Sequence, residues 1–362
     1  MKKYFIIFTV FTLFFGCGRT STETHTGRSS AKNVDKKGDF SIIRKSQFMQ
    51  SSSSTTVKQG HYSLLFKYSG DESNLNGILY ENSSKFSSSE SGEARVSIDP
   101  SENSITNNIL LLLDFSGSII TNRSLREQLK QSVVSFINKV SNKKKVKIAI
   151  YYLNARQDIT PIVSDPLSDS NRLKVEINAL DDAYFDRIID ENLISTNLYG
   201  GVEKATDIAC SWVSSCTNEV ISSTPTFNKD NFEFASLVVF TDGRDTARWS
   251  EEKDMIAKIK RNKALFYQGV GVGDADKNLI ESISTDNGIY EKELNVESIE
   301  SVFNELANWA NSFYEARYCP ADQKGTVDIK IDVDSGSKGI GTIKENDVRL
   351  YGEGFRCDLP RR

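Results

Sequence analysis

Residues 108–118 read NILLLLDFSGS, an unbroken apolar run that ends on the carboxylate of Asp114. A short apolar run bounded by polar residues is typical of a parallel strand that is buried on both faces. In an open parallel sheet, ligands bind just beyond the carboxyl ends of the strands. This stretch therefore predicts a central strand with polar side chains at the edge of the sheet where ligands bind.

Strand and helix signals alternate on both sides of this run. Three further apolar runs predict strands, namely Val146–Leu153, Leu237–Phe240 and Leu265–Val272. Apolar residues at helical spacing follow the first strand, and Ser124 and Glu127 have the spacing of a capping box at the start of that helix. A last helix is predicted over Val296–Tyr314. The alternation predicts an α/β fold with a doubly wound, mostly parallel sheet over residues 104–318.

The segments outside this unit have a different character. Residues 18–56 are rich in Ser, Thr and Lys and predict a flexible tether. Residues 57–103 contain two short strand signals and form an N-terminal β flank. In residues 319–362, apolar and charged residues alternate from Val327 to Val333, which predicts a small C-terminal β segment.

The first 17 residues have the pattern of an export signal. Two lysines follow Met1, and an apolar run then ends at Cys17, too short to span the roughly 30 Å hydrocarbon core of a bilayer. The end of this run resembles the bacterial lipoprotein box, which implies lipidation of Cys17. The alternatives are an ordinary cleaved signal and an uncleaved anchor. Gly18 is not an aspartate, which in the lipoprotein sorting pattern implies the outer membrane or cell surface, with a periplasm-facing position as the alternative.

Composition limits the classes of function. The net charge of -4 gives no bulk electrostatic reason to expect nucleic-acid binding. The chain has two histidines, His25 and His61, and both lie in the N-terminal region before the predicted α/β unit. A catalytic triad or a zinc site that depends on histidine is therefore disfavoured.

Four cysteines follow Cys17. An exported chain with an even number of remaining cysteines favours disulfides. Three pairings are possible, and proximity in the sequence favours Cys210–Cys216 with Cys319–Cys357. The alternative is that all four are reduced and buried.

Three separated clusters of oxygen-bearing side chains fall at predicted loops. Asp114, Ser116 and Ser118 follow the first strand, Thr196 precedes a helix, and Asp242 follows the Leu237–Thr241 strand. Carboxylates and hydroxyls are hard ligands, which suit Mg²⁺ or another hard divalent cation. The sequence therefore predicts that these five residues surround one metal ion, with Mg²⁺ expected first and Mn²⁺ or Ca²⁺ as alternatives.

Together, these motifs resemble the von Willebrand factor A domain. The resemblance rests on Asp-x-Ser-x-Ser from Asp114, the Thr-Asn-Leu-Tyr-Gly loop from Thr196, and Thr-Asp-Gly around Asp242, in that order. It covers about 210 residues, and the flanks lie outside it. It implies a metal-ion-dependent adhesion site, with an open coordination position for a carboxylate of a partner protein. Gly200 stands where some members of that family have an aspartate. The alternative is a fold of this type that has lost its metal and keeps these residues as loop caps.

The resemblance implies an exported, lipid-anchored binding or adhesion protein that holds an acidic residue of a protein or matrix ligand through the metal. The alternative is an envelope or periplasmic scaffold that uses the same domain to organise a complex. An enzyme, such as a metal-dependent hydrolase, is disfavoured because no nucleophile–base pair accompanies the expected metal.

Overall fold

The computed structural model of the chain describes residues 29–30, 40–51, 58–68, 78–81, 95–98, 105–141, 145–213, 232–262, 264–319, 326–334, 340–349 and 355–357. The predicted signal peptide, Cys17 and Cys216 lie outside the described residues. No helix in the described part of the chain has an apolar stretch long enough to cross a bilayer.

The strands, in chain order, are β1 (Ser29–Ser30), β2 (Phe40–Ser51), β3 (Lys58–Tyr68), β4 (Ile78–Glu81), β5 (Arg95–Ile98), β6 (Ile105–Asp114), β7 (Lys145–Leu153), β8 (Thr160–Leu167), β9 (Phe232–Thr241), β10 (Leu265–Val272), β11 (Ile289–Glu291), β12 (Phe313–Cys319), β13 (Thr326–Asp334), β14 (Ile340–Arg349) and β15 (Phe355–Cys357). The helices of the described residues are α1 (Gly117–Ile120), α2 (Arg123–Ser141), α3 (Ser170–Asn178), α4 (Asp182–Asp190), α5 (Leu198–Ser211), α6 (Glu252–Arg261), α7 (Lys277–Ile283) and α8 (Val296–Asn311).

The central sheet has the strand order β11-β10-β9-β6-β7-β8. All neighbouring strands are parallel except β7 and β8, which are antiparallel. From β6 the chain builds outward through β7 and β8, and then returns to add β9 on the other side of β6. Such a reversal creates a crevice at the carboxyl ends of the two strands that flank it. The predicted doubly wound, mostly parallel α/β sheet is confirmed.

Strand β6 supplies both cores of this unit. Leu110 and Leu112 belong to one apolar cluster, whereas Ile109, Leu111 and Leu113 belong to the other. Successive side chains of a strand point to opposite faces, so an unbroken apolar run requires cover on both sides. The first cluster packs beneath α5, α6 and α7, and the second beneath α2 and α8.

The predicted apolar stripe of α2 is buried, but the start of this helix differs from the prediction. Asn122 Oδ1 accepts hydrogen bonds from the backbone amides of Ser124 at 3.0 Å and Leu125 at 3.3 Å. Asn122 therefore caps the helix, and the capping box predicted from Ser124 and Glu127 is wrong. The physical reason is that Ser124 already lies inside the helix, which begins at Arg123.

The last helix also ends earlier than predicted. Helix α8 stops at Asn311, and Phe313 begins β12, which pairs with β3 and β5. Phe313 packs against the rings of Phe234, Phe266 and Trp309. A buried aromatic residue satisfies the apolar spacing of a helix and of a strand equally well, so periodicity alone misplaced this boundary.

The stretch between β7 and Thr196 holds elements that the sequence analysis did not identify. Strand β8 lies at the edge of the sheet and contains Pro161 and Pro166, which an edge strand tolerates because it has one unpaired side. Helices α3 and α4 follow it. Together with α1, α2 and β7, these elements explain why Thr196 lies 82 positions after Asp114 in the sequence.

The two flanks share sheets. Strand β3 pairs with β2, β12 and β15, and β13 pairs with both β4 and β14. Strand β2 lies within residues 18–56, the predicted tether, so here the structure differs from the prediction. Backbone pairing with β3 defines the strand over Phe40–Ser51.

One side chain of the flank contacts the central unit directly. Lys67 Nζ on β3 lies 2.7 Å from Asp286 Oδ2 and 5.7 Å from the ring centroid of Trp309 on α8. An ion pair and a cation–π contact from the same ammonium group therefore join β3 to the α/β unit.

Candidate metal site

The five predicted ligands lie at one edge of the central sheet. Asp114 is the last residue of β6, and Asp242 follows the last residue of β9. These strands are parallel neighbours, with Leu113 opposite Phe240, so both carboxylates leave the sheet at the same end. Ser116 and Ser118 lie in the turn into α1, and Thr196 lies in the loop before α5. The two aspartates thus flank the crevice at which the strand order reverses.

Direct contacts join four of the five residues. The backbone amide of Ser116 donates to Asp114 Oδ1 at 2.9 Å. The Ser116 hydroxyl donates to Asp242 Oδ1 at 3.1 Å and lies 3.1 Å from the Ser118 hydroxyl. The structure therefore brings two carboxylates and two hydroxyls from two strand ends into a single cluster.

Thr196 is brought to the same place through its backbone. Its carbonyl oxygen accepts hydrogen bonds from the amides of Thr246 at 2.9 Å and Ala247 at 3.0 Å, and its own amide donates to Thr246 Oγ1 at 2.9 Å. A Cβ atom placed on Gly243 would lie 3.9 Å from Thr196 Oγ1. The Thr196 hydroxyl is therefore next to the turn that carries Asp242, although it makes no direct hydrogen bond to the other four residues.

The hydroxyls of this cluster are not used to cap the helices beside them. Ser116 is the N-cap residue of α1, but its side chain forms no capping hydrogen bond. The amide of Tyr199, in the first turn of α5, is bound by Asp245 Oδ2 at 3.0 Å rather than by Thr196. Among the described residues, the Thr196 hydroxyl has no hydrogen-bond partner. The hydroxyls of Ser116 and Thr196 therefore do not cap these two helices.

Burial raises the pKa of both carboxyl groups. Asp114 is fully buried, and desolvation together with repulsion from Asp242 raises its pKa to about 8. Burial also raises the pKa of Asp242, against the opposing effect of the Ser118 and Ser116 hydroxyls. In the described part of the chain, no lysine or arginine forms an ion pair with either group. Two buried carboxylates without a basic partner require a counter-charge to be ionised together.

The donor set fits a hard divalent cation. Two carboxylates and three hydroxyls supply only oxygen ligands, which Mg²⁺, Mn²⁺ and Ca²⁺ prefer. No group of three or more His, Cys, Asp or Glu side chains that could hold a metal occurs among the described residues. An ion held by these five residues alone would keep a coordination position for water or a ligand.

Two residues that shape the site, Thr241 and Asp245, are not among the five predicted ligands. Thr241 donates from its hydroxyl to Asp114 Oδ2 at 2.6 Å, and its place in the Thr-Asp-Gly motif was the available signal. Asp245 accepts from the amides of Tyr199 and Arg248, the latter at 2.8 Å. Asp245 thereby connects the loop after β9 to the start of α5. No local pattern reveals a cap that comes from 46 residues away.

Gly200 adjoins the site without contributing a ligand. A Cβ at this position would lie 2.5 Å from Asn197 Oδ1. Asn197 is fully buried, and its side-chain amide donates to the carbonyl oxygens of Arg156 at 2.9 Å and Gln157 at 3.1 Å. The glycine leaves room for the side chain that joins the Thr196 loop to the loop after β7.

One cysteine outside the site takes part in a disulfide bond. Cys210 on α5 is disulfide-bonded. The pairing with Cys216 stays a prediction.

No family model matches the sequence, and no curated protein matches it either. Several solved structures are similar to this chain at low sequence identity. Proximal thread matrix protein 1 from the mussel byssus, solved with a zinc-occupied metal-ion-dependent adhesion motif, is 13% identical, with a TM-score of 0.41; the match covers 64% of this chain and 50% of that one. This chain therefore spans about half the length of that protein.

Two bacterial structures are similar in the same way. The pilus adhesin of Lactobacillus rhamnosus GG in its open conformation is 9% identical, covers 86% of this chain and 47% of that one, and has a TM-score of 0.44. The von Willebrand factor domain of a type V pilus tip protein from Porphyromonas gingivalis is 11% identical, covers 56% of this chain and 94% of that one, and has a TM-score of 0.40. Likenesses at these identities and TM-scores assign no activity to this chain.

Proposed function

We propose that this chain is an exported binding protein in which a divalent cation, held by Asp114, Ser116, Ser118, Thr196 and Asp242, coordinates a carboxylate of a partner protein. The observation that carries the proposal is the convergence of two buried carboxylates and their hydroxyl neighbours at the crevice of the sheet, without a basic side chain to neutralise them. A cation there would supply that charge, and a carboxylate is the ligand that best fills a remaining position on a hard ion.

Side chains of this protein would position the cation and the carboxylate of the partner. Asp114 is oriented from two sides, by the Ser116 amide and the Thr241 hydroxyl. The Ser118 side chain is exposed at the mouth of the cluster, whereas Asp114 lies at its base. A binding reaction of this kind needs no nucleophile or general base, and we propose a binding role rather than an enzymatic one.

We further propose that lipidation of Cys17 anchors the chain in the cell envelope, with the outer membrane or cell surface as its location. Protease treatment of intact cells, compared with lysed cells, tests this placement. Degradation in intact cells supports surface display. Protection until lysis favours the envelope scaffold instead.

Calorimetric titration of the full chain with Mg²⁺ and with Mn²⁺ tests the metal site. We expect one ion to bind per chain, and the isosteric variant Asp114→Asn to weaken binding by at least about tenfold, since even outer-sphere partners of a metal cost about that much when removed. Asp254→Asn changes an exposed aspartate on α6 and serves as the matched control. Equal binding by wild type and Asp114→Asn would refute this ligand set.

Proton relaxation of water around bound Mn²⁺ tests the open position. We expect the peptide acetyl-Gly-Asp-Gly-amide to lower the relaxation enhancement by displacing water from the ion. The matched peptide with Asn in place of Asp should leave the enhancement unchanged. If the two peptides behave alike, the ion does not select a carboxylate, and the proposed function fails.

A further inference from the structure

The rim of the candidate metal site carries exposed apolar side chains that the ligand set does not explain. Large hydrophobic side chains are exposed at three places in the described part of the chain: Val175 at 66%, Ile194 at 37% and Trp249 at 56%. Single exposed hydrophobic residues are ordinary on protein surfaces. Here, however, Ile194 and Trp249 lie in the two loops that hold Thr196, whereas Val175 lies on α3.

Trp249 is close to the site along the chain and through hydrogen bonds. The amide of Ala247, two residues earlier, donates to the Thr196 carbonyl oxygen at 3.0 Å. Two residues span at most about 7 Å, so the Trp249 backbone lies within a side chain's reach of the Thr196 loop. On the other side, the amide of Gly117 donates to the carbonyl oxygen of Ile194 at 2.8 Å, which places Ile194 against the turn that carries Ser116 and Ser118.

The indole of Trp249 is held in an exposed position. Its Nε1 donates to the carbonyl oxygen of Ala155 at 2.9 Å, which satisfies its one polar group. The residue before it, Arg248, has φ of 57°, a left-handed conformation that costs a residue with a side chain roughly 1 kcal/mol. Asp245 Oδ1 accepts from the Arg248 amide at 2.8 Å and holds this turn. The left-handed Arg248 and the hydrogen bonds to Asp245 and Ala155 thus hold the loop with the ring of Trp249 exposed to solvent.

The charges beside the indole favour an acidic partner. Arg244 and Arg248 are exposed in the same loop, and neither forms an ion pair with a described residue. The carboxylate of Asp245, between them, already accepts two backbone hydrogen bonds. The two guanidinium groups remain available to attract negative charge towards the metal edge.

Resting on the proposed function, we propose that Trp249 and Ile194 form an apolar docking surface beside the metal, and that the partner is a protein segment in which the metal-binding Asp or Glu is flanked by a large apolar side chain. Trp249 is then the specificity-determining residue. Tryptophan is among the residues that most often dominate binding energy at interfaces, because its ring buries a large area at little conformational cost.

Selection from displayed peptides with a central Asp and randomised flanks, on the full chain in Mg²⁺ with elution by EDTA, tests this surface. We expect the wild-type pool to be enriched in aromatic or aliphatic residues near the Asp. The Trp249→Ala pool should keep acidic, EDTA-eluted peptides but lose that enrichment, and should bind the best wild-type peptide about tenfold more weakly. Val175→Ala is the matched control and should select the same peptides as wild type.

The outcomes separate the two proposals. The docking surface is overturned if the peptides that EDTA elutes from the wild type show no apolar enrichment. It is also overturned if Trp249→Ala selects peptides with the same enrichment as the wild type. Either result leaves the metal-dependent function standing. If no peptides elute with EDTA from the wild type, both proposals fail. Thermal unfolding of each variant shows that it is folded, and Trp249→Phe, which keeps an aromatic ring, should retain most of the enrichment.

Discussion

Thr241 on β9 donates a hydrogen bond of 2.6 Å to Asp114 Oδ2 at the end of β6. The same hydroxyl oxygen accepts from the Gly243 amide at 3.2 Å, so it is fixed by the turn that carries Asp242. The most deeply buried carboxylate of the site is therefore oriented by a residue of the neighbouring strand. This relationship makes Thr241 a positioning residue for the proposed metal ligand.

Replacement of Thr241 by Val, which has the same shape without the hydroxyl, should leave one oxygen of the buried Asp114 without its donor. We expect Mg²⁺ affinity to fall about tenfold, as is usual when a partner of a metal ligand is removed. At alkaline pH in EDTA, the free energy of unfolding should fall by about 2 kcal/mol. Calorimetry and denaturant unfolding measure the two effects. Thr241→Ser keeps the hydroxyl and should retain most of both quantities; a serine variant as impaired as the valine variant would contradict the assignment.

The pKa of Asp114 predicts how stability depends on pH in the metal-free protein. Its value of about 8 lies above the ordinary 3.8, so between these values the folded state holds a proton that the unfolded state has released. The free energy of unfolding should therefore decrease as pH rises from about 4 to about 8, by at most about 1.4 kcal/mol per pH unit from this group.

Asp114→Asn removes this proton uptake. In EDTA we expect the variant to show a flatter pH profile than wild type and a higher melting temperature at pH 8, because no charge has to be buried. In excess Mg²⁺ the order of the two melting temperatures should reverse, since the wild type binds the ion more tightly and gains more from binding. Parallel profiles for the two proteins in EDTA would show that Asp114 does not titrate as described.

Substitution of Gly200 by Ala should destabilise the protein although it lies in the first turn of α5. Alanine is favoured over glycine in helices by about 1 kcal/mol, but the new Cβ would lie 2.5 Å from Asn197 Oδ1. Displacing Asn197 breaks two hydrogen bonds of a fully buried amide, which costs more than the gain in propensity. We expect a net loss of about 1 to 2 kcal/mol in denaturant unfolding. Gly243→Ala is the control for stability, because its nearest atom lies at 3.9 Å; stabilisation by Gly200→Ala would refute the packing argument.

The register of β3 brings the backbones of Cys319 and Cys357, which are predicted to form a disulfide, to one edge of that strand. One edge of β3 pairs with β2 along its whole length. On the other edge, Tyr318 of β12 pairs with Tyr62, and Cys357 of β15 pairs with Gly60. The backbones of Cys319 and Cys357 therefore approach each other from opposite directions beside residues 60–61. We expect non-reducing peptide mapping to recover these two cysteines in one linked peptide.

Loss of this link should destabilise the flank. It would close a loop of 38 residues, for which the chain-entropy model gives about 4 kcal/mol. Cys319→Ser and Cys357→Ser should lower stability equally, and the double variant should add nothing further. Linkage of either residue to Cys210 or Cys216 would contradict the pairing.

The order of strands and helices in the α/β unit follows from the sequence, because its determinants are local. A strand buried on both faces, such as β6, requires an unbroken apolar run, and a helix beside it requires one apolar stripe. The motifs from Asp114, Thr196 and Asp242 can also be read from the sequence. Each is a local group of oxygen-bearing residues next to a predicted strand or helix, where a loop is expected. Element boundaries were less certain: Phe313 was assigned to a helix, and β8 was missed because its burial is incomplete.

Contacts between residues far apart in the sequence depended on the tertiary structure. The sequence determined which residue types stand at the ends of the strands, but only the pairing of β6 with β9 brought Thr241 to Asp114 and raised the pKa of that buried carboxyl group. Likewise, only folding brought Asp245 to the start of α5 and placed an exposed Trp249 beside the site. The physical reason is that desolvation, repulsion between like charges and capping from a distant loop depend on distances in space, which the spacing of residues along a chain does not specify.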